Sequence, residues 1–264
     1  MDIKLEGNPS YLEEINLDCS YIKGRIFTSE NFLVESLTSG DLDRLLQEGY
    51  RHFGNYFFRP VCGKCHRCIP LRIPVHKYEI SRSAKRLLKN NKEIKVSLEN
   101  PEPSYETYML YRSHKKKFGE PVLETYEDYI RSFFTPLEFN YQLTMKIKEK
   151  IICISHIDIT DTVLSAVYCY YDTAMDRLSL GTYAIQRELM IAQERNIPYM
   201  YLGYFIEESP HMRYKIRFRP NQALLRNGKW VNFIDKNGTL MDKKGFAKGF
   251  RPTERLSDDS GYNI

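Results

Sequence analysis

YQLTMKIKEKIICISHIDITDTVLSAVYCYY, residues 141–171, alternates apolar and polar side chains with a period of two across three runs, and short polar turns separate them. Such runs are strands, and turns this short join neighbours antiparallel, so 141–148, 151–160 and 163–171 form a meander, with RLSL (177–180) as its fourth strand. The period then changes. GTYAIQRELMIAQERN (181–196) places Ala184, Ile185, Leu189 and Ala192 on one helical stripe. IPYMYLGYF (197–205) and HMRYKIRFRP (211–220) return to strand, and two helices are expected upstream over 104–118 and 124–134. Several strands, a helix and further strands make an α+β chain with a mixed sheet. This is the element order of acetyltransferase-like (GNAT-type) acyl-transfer domains.

The preceding segment reads as a smaller unit. SGDLDRLLQ (39–47) is a short helix with Leu42, Leu45 and Leu46 on one face, and a Gly-bounded strand leads from it into VCGKCHRCIPLRIPV (61–75). Pro70 and Pro74 forbid a regular helix there, so this arm is extended. SRSAKRLLKNN (81–91) is a basic helix with a serine in capping position. The prolines of ENPEPSYE (99–106) mark a boundary, dividing the chain into an N-terminal unit, 1–97, and a second, acetyltransferase-like domain, 98–264. From about Gly228 the sequence is basic and Gly-rich, and a mobile tail is expected.

A hydrophobic content of 42% over 264 residues supports a buried core. No apolar run is long enough to span a membrane, and the first residues lack the basic start and apolar stretch of a signal peptide. A cytoplasmic protein with no membrane or DNA partner is the expectation. In that reducing setting six cysteines serve as ligands, catalytic groups or buried thiols rather than disulfides.

Charge is concentrated. Between residues 64 and 95 stand ten Lys or Arg against Glu79 and Glu93, an excess of eight, which leaves the rest of the chain at −3 for a total of +5. A solvated helix face usually mixes signs, so this bias points to an anionic polymer. Within 211–220, a strand would line Arg213, Lys215, Arg217 and Arg219 along one face, a row that an anion would neutralise and that an edge strand also uses against aggregation.

Cys62, Cys65 and Cys68 carry the C-x2-C-x2-C spacing of metal ligands, and a tetrahedral site wants a fourth donor. Cys19 is the first choice, with His66 or His52 behind it; a structural zinc and an iron–sulfur cluster both fit the count, as does a cluster of reduced thiols. Cys153 and Cys169 lie in strands and read as small buried hydrophobes. There is no P-loop, no dinucleotide glycine fingerprint and no H-E-x-x-H. The loop before the 181–196 helix offers Gly181 alone where a coenzyme A pyrophosphate would need a glycine-rich cradle, so an acyl donor here is something other than acyl-CoA.

Six blocks in order, CSYI (19–22), YFFRPVCGKCHRCIPLRIPV (56–75), RSAKRLLKNN (82–91), LSAVYCYYD (164–172), SLGTYAIQRELMIAQ (179–193) and YMYLGYFIEESPHMRYKIRFRP (199–220), resemble the aminoacyl-tRNA–protein transferases. The bacterial aspartate/glutamate leucyltransferases are the nearer branch, and the eukaryotic arginyltransferases are relatives. Phe205 stands where tryptophan is expected and Gln222 where glutamate is usual. The resemblance implies transfer of an aminoacyl group, leucine in the bacterial branch, from charged tRNA to the α-amine of proteins beginning with Asp or Glu, which tags them for N-degron degradation.

That reaction suits the residues. An aminoacyl ester is already activated, so positioning and charge stabilisation matter more than a strong nucleophile, and no cofactor is required for the chemistry. Glu188 is the candidate base or ammonium ligand, with a helix ion pair to Arg187 or Arg213 as the bland alternative; Asp158 is a weaker candidate for the same role. Tyr183 and Tyr214 would frame the acceptor end or the ester. Arg72, Lys215, Arg217 and Arg213 are the candidates to meet the acceptor carboxylate, and Arg82, Lys85, Arg86 and Lys89 to meet tRNA phosphates. The cysteines would orient the arm that carries Arg72. Two other classes remain open: an RNA-binding module without chemistry and an acyl-CoA N-acetyltransferase. Arginyl rather than leucyl transfer is open within the favoured class.

Overall fold

The period-two runs form the middle of an eight-stranded sheet. β7 (Asn140–Ile147), β8 (Lys150–Ile159) and β9 (Val163–Tyr171) pair antiparallel in chain order, and β6 (Lys95–Glu99) closes that edge. α5 (Leu180–Glu194) crosses one face and returns the chain as β10 (Tyr199–Phe205), parallel to β9. Beyond β10 come β5 (Ile69–Pro74), β11 (Asn221–Leu224) and β12 (Trp230–Ile234), all antiparallel, for the order β12-β11-β5-β10-β9-β8-β7-β6. The chain is thus α+β with one parallel step in a mixed sheet, in the element order of acetyltransferase-like domains. The computed structural model describes residue 5, residues 9–135 and residues 137–239.

A second sheet, order β1-β2-β4-β3, is built from β1 (Pro9–Asp18), β2 (Ile26–Val34), β3 (Arg51–Phe53) and β4 (Tyr56–Pro60). α1 (Ser39–Gln47) precedes β3; Thr38 caps it, its hydroxyl accepting from Asp41 N at 3.1 Å while Asp41 reaches back to Thr38. Leu42, Leu45 and Leu46 bury as their spacing requires, each worth about 2 kcal/mol. They pack with Phe32 and Phe57 of the small sheet and with Val163 and Tyr201 of the large one, joining the two sheets. α2 (Arg82–Asn90) is capped by Ser81, whose hydroxyl accepts from Ala84 N at 3.2 Å.

β8 is buried on both faces. Its odd residues Cys153 and Ile157 join the core under α5, whereas Ile154 joins a tyrosine-rich core under α3 (Tyr105–Lys117) and α4 (Tyr126–Phe133), with Tyr108, Tyr111, Tyr129 and Tyr170. Alternation in a strand covered on both sides therefore delivers polar groups to two interiors. Ser155 goes to one face, His156 and Asp158 to the other, and all three are buried.

Several expectations are corrected. The segment 211–220 is not a strand: α6 (Pro210–Arg213) and a 3-10 turn (Tyr214–Arg217) replace it, since Pro210 sets the first helical turn and Ser209 O accepts from Arg213 N at 2.8 Å. The four cations therefore do not share a face. RLSL is not a strand either; Thr173–Leu178 is 3-10 and Leu180 begins α5, because Asp172 caps the turn by accepting from Ala174 N at 3.0 Å. A boundary at residue 97 does not separate the sheets, because β5 and β6 both pair into the large one. Of the expected mobile tail, Trp230–Ile234 is β12, and residues 240–264 lie outside the described residues.

Candidate active site

The parallel pairing of β9 and β10 lasts three residues, Tyr199↔Val163, Met200↔Leu164 and Tyr201↔Ser165, and then the strands part. Irregularities coincide there: the β8–β9 register shifts after His156, and the β10–β5 register shifts between Tyr201 and Gly203. Gly203 has φ +78°, a backbone that L side chains avoid. Arg51, the first residue of β3, enters the split. It is 8% exposed, and its guanidinium donates to Ser165 Oγ at 3.1 Å and to the Ala166 carbonyl. Burial works against its charge, and Asp158 opposes that effect. A Cβ on Gly203 would stand 3.5 Å from Arg51 Nε and 3.5 Å from Lys215 Nζ, so the two cations share this opening.

Lys215 reaches it because residues 214–217 are coiled. Its ammonium donates to Tyr204 O at 3.1 Å and to Met212 Sδ at 3.2 Å. Enclosure, and secondarily Arg51, push it down to about 7.

On the α5 face of the sheet lies Glu188. Its carboxyl is 1% exposed; Oε1 accepts from Ser155 Oγ at 2.7 Å, and Oε2 has no hydrogen-bond partner. Burial raises it from the ordinary 4.5 to about 7, with the Ser155 bond opposing. The partner is thus neither Arg187 nor Arg213. Tyr214 and Cys153 lie within electrostatic range of Glu188; burial first, then Cys169 and Glu188, keep the Tyr214 phenol protonated. Cys153 and Cys169 sulfurs are 3.6 Å apart. A carboxyl held near neutrality with one oxygen free can take or give a proton at physiological pH.

Other sequence candidates are placed differently. Tyr183 is buried, and its hydroxyl interacts with Arg187 one turn on rather than with Glu188. Arg72 sits in an aromatic box, its guanidinium 3.9 Å from the Tyr199 ring centroid and 4.4 Å from that of Trp230, donating to Gln222 Oε1 at 2.8 Å and Tyr201 OH at 3.2 Å. Arg213 and Arg217 are exposed. Arg82, Lys85, Arg86 and Lys89 recur at helical spacing along α2 and are all exposed, with no acidic residue among them.

Among the described residues no three Cys, His, Asp or Glu groups stand close enough to hold a metal ion as placed. The four predicted thiols are nonetheless neighbours: burial, then Cys62, Cys19 and Cys65, push Cys68 up to about 12. Cys62 Sγ accepts from Thr28 N at 3.2 Å. Four soft donors drawn from two separate segments, three of them raising the cost of charging the fourth, match the donor set of a structural thiolate site.

Sequence reasoning missed Arg51, Ser155 and the role of His52. Both ring nitrogens of His52 face oxygen, Gly54 O at 2.9 Å and Asp158 Oδ2 at 2.8 Å, and Asn140 donates to Asp158 Oδ1 at 2.6 Å. For Ser155 and the partner of His52, the signal available was three polar residues, Ser155, His156 and Asp158, in the otherwise apolar run 151–159 of β8.

Residues 17–86 match the family model described as arginine-tRNA-protein transferase, N terminus, and residues 104–225 match its C terminus. An aspartate/glutamate leucyltransferase of Campylobacter jejuni is 33% identical over 85% of this chain and 95% of its own length. This chain belongs to that transferase family. A second member, from Hahella chejuensis, is 34% identical over 81% of this chain and 92% of its own. Among solved structures, the C-terminal domain of a putative lysylphosphatidylglycerol synthetase from Agrobacterium fabrum overlays with TM-score 0.45 at 11% identity, covering 69% of this chain and 59% of that one. The family blocks read from the sequence span both matched regions, and no helix among the described residues is long and apolar enough to cross a membrane.

Proposed function

We propose that this protein transfers leucine from leucyl-tRNA to the α-amine of proteins that begin with Asp or Glu, tagging them for the N-degron pathway. The observation that carries this reading is the enclosed Glu188 carboxyl with its free oxygen, in a chain of this transferase family whose large sheet also opens at a cationic split. The acceptor nitrogen attacks the ester carbonyl carbon; an N–C bond forms and the C–O bond to the tRNA ribose breaks. An α-amine with a pKa near about 7.7 is roughly one-sixth neutral at pH 7. Glu188, held at about 7, is matched to receive the remaining proton and to return it to the departing ribose oxygen. The Tyr214 phenol, kept protonated by burial, is a donor to the oxyanion. Tyr183 shapes the α5 wall, and Lys215, with Arg72, Arg213 and Arg217 farther out, supplies positive charge for the acceptor carboxylate.

The exposed stripe of α2, Arg82, Lys85, Arg86 and Lys89, would lie along tRNA phosphates. Cys19, Cys62, Cys65 and Cys68 would hold a structural zinc or an iron–sulfur group that ties the 19–22 segment to the arm bearing Arg72. That group takes no part in the transfer. A reaction that consumes charged tRNA belongs in the cytoplasm.

Arginyl transfer is the second reading, because the matching family model carries arginine in its description while the full-length relatives carry leucine in theirs. Purified protein given labelled leucyl-tRNA and arginyl-tRNA in parallel, with peptides beginning in Asp, Glu or Ala, separates the two. Leucine on the Asp and Glu peptides alone is expected. Arginine on them instead would replace the donor, and no label from either would leave an RNA-binding module.

A further inference from the structure

We propose that Arg51 and Lys215 together form the pocket for the acidic side chain of the acceptor, Lys215 touching the carboxylate and Arg51 acting from behind it as a positioning residue. This rests on the reading of the function above and goes beyond it by assigning the selectivity to one place in the fold.

Two cations in one opening need a reason. Arg51 Nε and Lys215 Nζ each stand 3.5 Å from where a Cβ on Gly203 would lie, an ordinary contact distance, so it is the positive φ there that calls for glycine while both cations flank the same point. Neither is neutralised. Lys215 bonds a carbonyl and a thioether, which leaves its third N–H free; Arg51 bonds a hydroxyl and a carbonyl. Among the described residues neither forms an ion pair with a carboxylate. The nearest acid bearing on Arg51 is Asp158 on β8, and its two oxygens are already engaged by His52 on β3 and Asn140 on β7. The tyrosines facing Arg51, Tyr201 and Tyr204 on β10, are held neutral by burial.

With Lys215 protonated the empty pocket holds two like charges in a low-dielectric place, eased only in part by Asp158; enclosure and Arg51 therefore push Lys215 down, and a single incoming carboxylate relieves that cost. A neutral isostere such as asparagine brings no charge and gains nothing. Arg51 cannot itself reach the ligand while its guanidinium holds Ser165 and Ala166, so its part is to fix the split between β9 and β10 and to supply field. Lys215, on a short turn with a flexible stem and a free N–H, makes the contact.

The test uses the full chain and peptides beginning with Asp or with Asn, with KM and kcat for each. In Lys215→Gln the KM for the Asp peptide should rise about tenfold or more, the effect of one lost charged hydrogen bond, with little change in kcat. Arg51→Gln should raise the same KM several-fold, and Arg51→Lys should recover part of it. Values for the Asn peptide and the KM for tRNA should stay put in all three. Equal losses on the Asp and Asn peptides, or an unchanged Asp-peptide KM in folded Lys215→Gln, would overturn the pocket. If wild-type protein transfers nothing to the Asp peptide, the functional reading itself fails, and that result is distinct from either of these.

Discussion

Replacing Glu188 with glutamine keeps the side-chain shape and an oxygen for Ser155 but removes the ionisable carboxyl. In the folded protein that carboxyl is raised from 4.5 to about 7 because burial disfavours its charge. A raised carboxyl favours the folded state fully below pH 4.5, and this contribution is lost as pH climbs through 7. At about 1.4 kcal/mol for each tenfold change in ionisation constant, the full loss is about 3 kcal/mol, of which about 2 kcal/mol falls between pH 5.5 and pH 8.5. Glu188→Gln does not suffer it. Denaturant unfolding of both proteins under reducing conditions, at those two pH values, should show the variant gaining about 2 kcal/mol on the wild type as pH rises. For a chain of this size that corresponds to about 4 to 8 °C in melting temperature. The same variant should lose about a hundredfold or more in kcat if Glu188 carries the proton. Parallel pH dependences of stability in the two proteins would refute the burial of an unpaired carboxyl. A stabilised but fully active variant would leave the buried carboxyl standing and remove Glu188 from the chemistry.

Gly203→Ala forces a left-handed backbone on an L residue and puts a methyl 3.5 Å from both Arg51 Nε and Lys215 Nζ; a loss of about 1–2 kcal/mol is expected in chemical denaturation, together with a raised acceptor KM. Changing Arg82, Lys85, Arg86 and Lys89 together to glutamine should weaken tRNA binding and flatten the plot of log affinity against log salt by about 3, without altering the melting temperature by more than a degree or two. Cys68→Ala should lower metal content per chain, measured by elemental analysis, and destabilise the fold, whereas Cys153→Ala should leave metal content unchanged.

How much could be seen beforehand depended on the range of the forces involved. Helix α1 over Ser39–Gln47 and α2 with its Ser81 cap follow from signals within a few residues, and the structure has both where the sequence puts them. The same local rules misread 211–220. Its alternation of cations and apolar groups satisfies a strand, yet Ile216 and Phe218 join the main core from a turn, because Pro210 and the bonds to Ser209 O start a helix. Helical spacing alone allows Glu188 an ion pair with a neighbouring arginine; its actual partner, Ser155, lies 33 residues away on β8, out of reach of any local rule.

The sequence by itself determined the class, three strands of the meander, the helix that follows them and the family, since period, capping and ordered motif blocks are properties of neighbouring residues. The tertiary structure alone decided the site. Arg51 meets Ser165 across 114 residues, His52 meets Asp158 across 106, and Lys215 shares the space beside Gly203 with Arg51. These encounters arise because the small sheet docks on a strand pair that parts after three residues. Such a split is set by packing and by backbone irregularity, neither of which leaves a periodic trace in the chain.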